Sequence, residues 1–458
     1  MIKARRSIPL ILTLAATLIT PAHAAERAKN VILFIGDGMG VSTITAARIF
    51  EGQQRGVDGA SNKLSFEQFP ELALIRTYSA DALVTESAAG ATALLTGHRT
   101  KNGVLGVSDQ IVRFDCASSK ATSVPTLAEL AKRKGLATGA VSTAALTDAT
   151  PASLYAHVPT RTWQADADMP QEAIAAGCID IARQMLDGPK ALQLDVMLGG
   201  GTGQFTPQEV GVGRRLDGRY LVESWKTKGG AYVENATQLS ALPKSTTRLL
   251  GLFAPNNMLP ETARLAVGAD APRLVDMTRK AIEVLSQNKN GYFLMVEGAL
   301  IDKAHHQNLA YVALNETMEM DQAVAVAVAM TDPADTLIIV TADHSHGLTL
   351  NGGNRDTPIL GISQSTDDDP RLALDGKAVP NLMYATGPGA PNGEPRADPA
   401  KVDIRDPDAR SQAAVPLASA AHTGEDVVAY ARGPGAKAIH GAMDQPEIFD
   451  AMKAALGL

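Results

Sequence analysis

Several polar side chains of the kinds that bind metal ions lie at the ends of predicted β-strands. The strands NVILFIG, YFLMVE and TLIIVTADH each end in, or are followed by, an acidic residue, and the segment TDATP follows another strand. In open α/β sheets, ligands bind beyond the carboxyl ends of the strands, so we expect these side chains to share one edge. Carboxylates and imidazoles suit Zn²⁺, whereas carboxylates with a hydroxyl group and waters suit Mg²⁺. The candidates are Asp37, Asp148, Thr150, Glu297, Asp343 and His344.

Two further residues have the spacing of metal ligands on a helix. Asp302 and His306 are four residues apart, which places them on one face of a helical turn. His422 follows much later in the chain, in the segment AHTGED. A single histidine is more often a surface or core residue than a ligand, so the prediction of a metal site depends on the whole set.

Ser87 is the candidate nucleophile. It precedes a run of small and helix-forming residues, AAGATALLTG, which predicts that it lies in the first turn of a helix. Unpaired backbone N–H groups and the helix dipole favour an anion at that position. A serine there can also simply cap the helix. The candidate metal ligands elsewhere in the chain are what favour catalysis over capping.

Alternating helix and strand patterns must position these residues. A strand in NVILFIGDGMG precedes a helix near residues 41–50, and residues 123–143 and 272–302 each contain a helix followed by a strand. A long helix over 312–330 leads to the strand 336–344. The alternation predicts an α/β fold with a mainly parallel central sheet covered by helices on both faces.

The chain is organised as a targeting segment followed by one large domain. Residues 1–24 combine a basic head, a short apolar run and the sequence Ala-His-Ala, which is typical of a cleavable signal peptide. We expect an exported protein, periplasmic or secreted, with a single catalytic domain over 25–458. Two stretches interrupt the helix and strand pattern and are interpreted as insertions near 199–265 and 350–415, the second folded on the surface.

Composition narrows the function further. The net charge is −7, and no basic stripe predicts a nucleic-acid-binding surface. After the signal, no apolar stretch approaches the roughly 18 residues that a membrane span needs. Two cysteines, Cys116 and Cys178, either form a disulfide in an oxidising compartment or remain as two buried thiols.

The motifs taken together resemble those of the alkaline phosphatase family. The shared pattern is IGDGMG, a serine before a small-residue helix, DATP, VEG-x-IDK-x-x-H, TADH and HTG, in that order, from residue 30 to the C-terminal MKAALGL. LGGG, DGRYLVESW and GLFAPNNM resemble animal members, whereas Asp148 with Lys303 resembles the enterobacterial type. The resemblance implies an alkaline-phosphatase-like fold with a smaller, crown-like surface insertion, two Zn²⁺ ions, one Mg²⁺ ion and a homodimer.

Carried over to the matching positions, the resemblance implies three metal sites. The ligand sets are Asp302, His306 and His422 for the first zinc ion; Asp37, Asp343 and His344, with the Ser87 oxygen, for the second; and Asp37, Thr150 and Glu297 for magnesium.

The resemblance also assigns the groups around the substrate. Arg161 matches the substrate arginine, whose planar guanidinium can bind two phosphate oxygens. Asp148 and Lys303 would lie near magnesium through water. Ser87 would form a phosphoserine that water then hydrolyses, which implies a phosphomonoesterase acting on a broad range of monoesters. The family usually has Asp before the serine, and the longer Glu86 here predicts a changed contact with Arg161.

Other functions stay open from the sequence. A phosphodiesterase or sulfatase relative could use the same scaffold, and an exported metal- or phosphate-binding protein could lack turnover. The glycines of IGDGMG do not have the GxGxxG spacing of a dinucleotide turn. We expect His305 and His346 not to bind metal directly, and we expect His98, His157 and His440 to be structural or surface residues.

Overall fold

The computed structural model describes residues 27–187, 193–365, 367–403 and 405–458. The predicted signal peptide therefore lies outside the described residues. The strands are β1 (Asn30–Gly36), β2 (Glu71–Arg76), β3 (Ala137–Ala145), β4 (Val196–Gly200), β5 (Ala231–Val233), β6 (Leu249–Leu252), β7 (Tyr292–Gly298), β8 (Thr336–Thr341), β9 (Leu348–Leu350), β10 (Leu382–Gly387), β11 (Ala413–Pro416), β12 (Val427–Arg432) and β13 (Gly441–Asp444).

Fifteen α-helices, with a few short 3-10 helices, connect and cover these strands in the described part of the chain. They are α1 (Val41–Gln54), α2 (Ser87–Thr96), α3 (Cys116–Thr122), α4 (Leu127–Arg133), α5 (Ala149–Ala152), α6 (Gln171–Ala175), α7 (Ile181–Asp187), α8 (Thr202–Phe205), α9 (Leu221–Thr227), α10 (Ala236–Ser240), α11 (Glu261–Val267), α12 (Leu274–Leu285), α13 (Leu300–His306), α14 (Ala310–Met330) and α15 (Gln445–Leu456).

A ten-stranded sheet forms the core, in the order β13-β2-β12-β8-β1-β7-β3-β4-β6-β5. Among the described strands of this sheet, β12 is antiparallel to both neighbours and the other neighbouring pairs are parallel. Every residue of β1, β3, β7 and β8 is buried, so helices cover both faces of the central strands. Strands buried on both faces are typical of parallel sheets. The predicted α/β fold with a mainly parallel central sheet is confirmed, and the crown-like insertion stays a prediction.

The two segments that interrupt the sequence pattern differ in structure. Residues 199–265 contain β5 and β6. Strand β6 pairs with β4, and β5 pairs with β6, so this segment extends the main sheet. Residues 350–415 are mostly irregular and contain β10, the central strand of a second sheet of three strands, ordered β11-β10-β9. This second sheet packs against the elements that carry the candidate site.

Two further sequence questions are answered by the described residues. Cys116 and Cys178 form a disulfide with a Cα–Cα distance of 5.6 Å, so the cysteines are not two separate thiols. Within the described ranges, no helix has both the length and the apolar character needed to cross a bilayer.

Candidate active site

Ser87 lies at the start of α2, as the sequence predicts. The helix is built from small residues and is buried along its whole length. Gly90 allows it to pack closely, because a Cβ there would lie 3.0 Å from the carbonyl oxygen of Asp343. The Ser87 hydroxyl lies 3.3 Å from Asp37 Oδ1 and 3.3 Å from His344 Nε2. The candidate nucleophile therefore faces a carboxylate and an imidazole.

Asp37, Asp343 and His344 form one group that could hold a metal ion. Each places a ligand atom within 4.8 Å of the others. Asp343 Oδ1 accepts the backbone N–H of Gly38 at 3.1 Å, while Oδ2 is buried without a hydrogen-bond partner. Burial and the charge of Asp37 raise the pKa of Asp343 well above its usual value. A cation at this position would complete the coordination of Asp343 and offset the repulsion.

Asp302, His306 and His422 converge beside the first group. His306 Nε2 lies 3.4 Å from Asp302 Oδ2 and 3.3 Å from His422 Nε2. His306 Nδ1 lies 2.7 Å from the backbone carbonyl oxygen of Ala420, and His422 Nδ1 lies 3.2 Å from that of Thr85. A carbonyl only accepts hydrogen bonds, so each Nδ1 carries the proton and each Nε2 presents a lone pair. Two lone pairs and a carboxylate facing one another fit a bound cation.

His346 also lies in the site, beside the candidate ligands, and the expectation that it does not bind metal directly stays a prediction. Its Nε2 lies 2.5 Å from Asp302 Oδ1, and it forms a second metal-capable group with Asp302, His344 and His422. Burial lowers the pKa of His346 to about 4, so a neutral ring donates its Nε2–H to Asp302. The signal was present in the sequence, since His346 follows His344 by two residues in TADHSH.

Glu297 and Thr150 are the candidates for the third predicted metal site. Glu297 is the penultimate residue of β7, is buried, and accepts a hydrogen bond from the Ser142 hydroxyl, a contact that sequence reasoning did not predict. Burial and the charge of Asp37 raise the pKa of Glu297 well above its usual value. The buried Thr150 hydroxyl has no hydrogen-bond partner. A carboxylate beside an unpartnered hydroxyl matches the oxygen ligands that Mg²⁺ prefers.

Arg161 is held in place by two acids. Its Nη1 lies 2.6 Å from Glu86 Oε2, and its Nη2 lies 2.7 Å from Asp148 Oδ1. Glu86 also caps α2, because its Oε1 accepts the N–H groups of Ala89 at 2.9 Å and Gly103 at 2.8 Å. The longer side chain in place of the family's aspartate therefore still reaches the arginine.

Lys303 completes this part of the site. Its Nζ lies 3.6 Å from Asp148 Oδ2 and 3.3 Å from Asp302 Oδ2. Burial opposes ionisation of Asp148, but the charges of Lys303 and Arg161 outweigh it and hold the pKa of Asp148 below its usual range. Asp148 is therefore an ionised bridge between the two basic residues.

The charges at this edge of the sheet do not balance. In the described part of the chain, the site brings six carboxylates together with two fixed cations, Arg161 and Lys303. The carboxylates are Asp37, Glu86, Asp148, Glu297, Asp302 and Asp343. Buried like charges are costly unless a cation compensates them, so the donor set fits bound metal ions.

The remaining histidines have other partners. His305 is fully buried with Nδ1 2.7 Å from the Tyr384 hydroxyl and Nε2 3.0 Å from the Thr43 hydroxyl, so neither nitrogen is available to a metal. His157 contacts the carbonyl of Gly106 and Glu129, away from the candidate ligands. His98 and His440 are exposed.

Comparison with known proteins identifies the family. A family model described as alkaline phosphatase matches residues 28–458. The chain belongs to the alkaline phosphatase family. It is 41% identical over 443 residues to the tissue-nonspecific alkaline phosphatase isozyme of Gallus gallus, covering 93% of this chain and 84% of that protein. It is 40% identical over 445 residues to the alkaline phosphatase of Gadus morhua, covering 93% and 91%.

Solved structures of the family share the fold. The alkaline phosphatase of Thermus thermophilus superposes with a TM-score of 0.69 at 25% identity, covering 98% of this chain and 96% of that one. The alkaline phosphatase of the Antarctic bacterium TAB5 gives a TM-score of 0.66 at 25% identity, covering 94% and 99%. The family implies an enzyme that uses divalent metals, in agreement with the two metal-capable groups.

Proposed function

We propose that this alkaline phosphatase is an exported phosphomonoesterase that hydrolyses many phosphate monoesters through a phosphoserine at Ser87. The observation that carries the proposal is the position of the Ser87 hydroxyl, 3.3 Å from both Asp37 and His344, in a site with an excess of carboxylates. A binding protein needs no nucleophile. Membership of the family supports the same reaction.

We assign two zinc ions and one magnesium ion to the site. When bound, these ions supply positive charge that lowers the proton affinity of Ser87 and of water and stabilises the departing oxygen. The facing Nε2 atoms of two histidines support the first zinc assignment, and the unpartnered Asp343 Oδ2 supports the second. The ligand sets are Asp302, His306 and His422; Asp37, Asp343 and His344; and Asp37, Thr150 and Glu297.

The protein's own groups bind and orient the substrate. Arg161 presents a planar fork to two phosphate oxygens, and Glu86 and Asp148 fix the plane of that fork. Ser87 Oγ attacks phosphorus, the bond to the alcohol oxygen breaks, and the alcohol leaves with a proton. Water then attacks the phosphoserine, releasing inorganic phosphate and restoring the hydroxyl. Because recognition centres on the phosphoryl group, we expect little dependence on the alcohol.

The remaining assignments complete the proposal. We expect cleavage of residues 1–24, a periplasmic or secreted enzyme, a single catalytic domain over 25–458 and a homodimer. N-terminal sequencing of the exported protein tests the cleavage. Light scattering tests the dimer, which a mass near that of one chain would refute.

Hydrolysis of p-nitrophenyl phosphate at alkaline pH tests the activity. We expect activity that a chelator abolishes and added zinc restores, and loss of turnover in Ser87→Ala. Wild-type activity in Ser87→Ala would contradict the phosphoserine mechanism. Equal or faster hydrolysis of the bis ester would favour a phosphodiesterase, and metal or phosphate binding without turnover would favour a binding protein.

A further inference from the structure

The second sheet contacts the helix that carries two candidate zinc ligands. Helix α13 has seven residues and includes both Asp302 and His306. A helix this short is not stable alone, so tertiary contacts must fix its position. Most of the contacts described below come from β10 and from the segments that follow it.

A chain of two hydrogen bonds crosses α13 beside the ligands. Tyr384 of β10 places its hydroxyl 2.7 Å from His305 Nδ1, and the Thr43 hydroxyl of α1 lies 3.0 Å from His305 Nε2. All three side chains are at most 1% exposed. A neutral imidazole donates from one nitrogen and accepts at the other, so His305 can satisfy both hydroxyls. The chain thus joins the second sheet, α13 and the helix that follows Asp37.

Asn308 provides a second attachment just after the helix. Its backbone has a φ of 56°, in the left-handed region. Its Oδ1 accepts the N–H of Gly389 at 2.8 Å, and its Nδ2 donates to the carbonyl of Thr386 at 3.1 Å. Gly387 permits this approach, because a Cβ there would lie 2.2 Å from Asn308 Oδ1. The second sheet therefore fixes both His305 and the end of α13.

We propose that Tyr384 and Thr43, acting through His305, are positioning residues for zinc binding by α13. The proposal rests on the proposed function, which assigns zinc to Asp302 and His306. Neither Tyr384 nor Thr43 is among the candidate ligands. Loss of either hydroxyl leaves a buried nitrogen of His305 unpaired and releases one side of the helix. Because metal ligands tolerate displacements of only about 0.2 Å, this loosening weakens zinc binding more than it disturbs the fold.

The test measures zinc release from the full-length, zinc-loaded protein to a chromophoric chelator. Changing a group hydrogen-bonded to a metal ligand costs about 10–100-fold in metal affinity. Tyr384 and Thr43 contact His305 rather than a ligand, so we expect Tyr384→Phe and Thr43→Val each to release one zinc ion only about 3- to 10-fold faster than wild type. Thr43→Ser keeps the hydroxyl and should release zinc at the wild-type rate. With excess zinc, the kcat and KM of each variant should return close to wild type.

Tyr292→Phe is the matched control. Tyr292 is equally buried but starts β7, at the opposite end of the strand from Glu297. Removing the Tyr292 hydroxyl should leave the zinc release rate unchanged. Wild-type release rates in both Tyr384→Phe and Thr43→Val, from a protein that binds zinc and hydrolyses monoesters, would overturn the positioning role alone. A wild-type protein that binds no zinc would overturn the metal assignment together with it.

Discussion

Two groups of buried acids in this protein balance their charge in different ways. At the active site, six carboxylates share two fixed cations in the described part of the chain, and several ligand atoms have no partner. A second group lies where α11, α12 and α14 meet and consists of Glu261, Glu316 and Glu319.

The second group is nearly neutralised by arginine. Arg264 binds Glu261 through Nε and Nη2 at 2.6 and 2.7 Å, and Arg273 binds Glu319. Glu316, 4% exposed, accepts the backbone N–H of Glu261 at 2.6 Å. Burial, with the charges of the two neighbouring glutamates, raises the pKa of Glu316 to about 8. At neutral pH the remaining acid therefore keeps its proton.

The comparison shows what distinguishes a functional acidic cluster from a structural one. In the second group, arginines and one proton remove the excess charge, and the Glu316 oxygen that contacts Glu261 is satisfied. In the site, the facing imidazole lone pairs belong to one candidate metal group and the unpartnered Asp343 Oδ2 to another, so a single proton does not satisfy both. Bound metal ions would do so.

The largest difference is expected from removing one acid from each group. Asp343→Asn should reduce zinc affinity more than about 100-fold, because changes behind a ligand alone cost 10–100-fold. We expect its kcat/KM to fall on the order of 10³-fold, as when an electrostatic stabiliser is removed. Glu316→Gln should leave zinc content and activity unchanged. Metal analysis and monoester hydrolysis are measured for both variants. If Asp343→Asn binds zinc as tightly as wild type, the proposed distinction between the two acidic groups is wrong.

The second prediction concerns pH and stability. Glu316 binds its proton more tightly in the folded protein than in the unfolded chain, where the pKa is about 4.3. Its contribution to stability is therefore complete below about pH 4 and is lost as the pH rises through about 8. We expect Glu316→Gln to gain on the order of 4 kcal/mol in unfolding free energy relative to wild type between pH 5 and pH 9.

Urea unfolding of both proteins at several pH values provides the measurement. Glu283→Gln is the control, because Glu283 lies on the neighbouring helix α12 with a side chain that is 46% exposed. Its unfolding free energy should follow wild type at every pH. A constant difference between Glu316→Gln and wild type would show that Glu316 does not titrate in this range.

The sequence indicated which side chains come together at the candidate site more directly than it indicated their surroundings. The strand-end candidates could be identified because parallel strands bring their carboxyl ends to one edge, so local patterns determined a long-range arrangement. The hydrogen bond from His346 to Asp302 joins positions 44 residues apart, so the sequence indicated only that His346 lies close to the candidate ligand His344. The contacts of Tyr384 with His305, and of Asn308 with the β10 segment, join parts of the chain whose sequences carry no local sign of pairing. The glutamates of α14 resemble ordinary helical residues until burial is known.

The third prediction compares two glutamates that bind arginine. Glu86→Asp shortens the side chain that joins α2, Gly103 and Arg161, and the shorter acid cannot keep all three contacts. We expect phosphate to bind about 10-fold more weakly, because this is the effect of losing one charge-assisted hydrogen bond. The zinc content should be unchanged. Glu261→Asp shortens an equivalent pair with Arg264 and should leave phosphate affinity unchanged. Unchanged KM and product inhibition in Glu86→Asp would contradict a positioning role for Glu86.

The smallest effect is expected from two buried hydroxyls without hydrogen-bond partners, Thr150 in the site and Thr278 in α12. Valine has nearly the same shape, and removing an unsatisfied hydroxyl should stabilise the metal-free protein by about 1 kcal/mol at either position. Magnesium should reverse this gain at Thr150 alone, because only there does the hydroxyl face a candidate cation site beside Glu297. Urea unfolding with and without magnesium measures the difference, and an equal response of the two variants to magnesium would exclude Thr150 as a ligand.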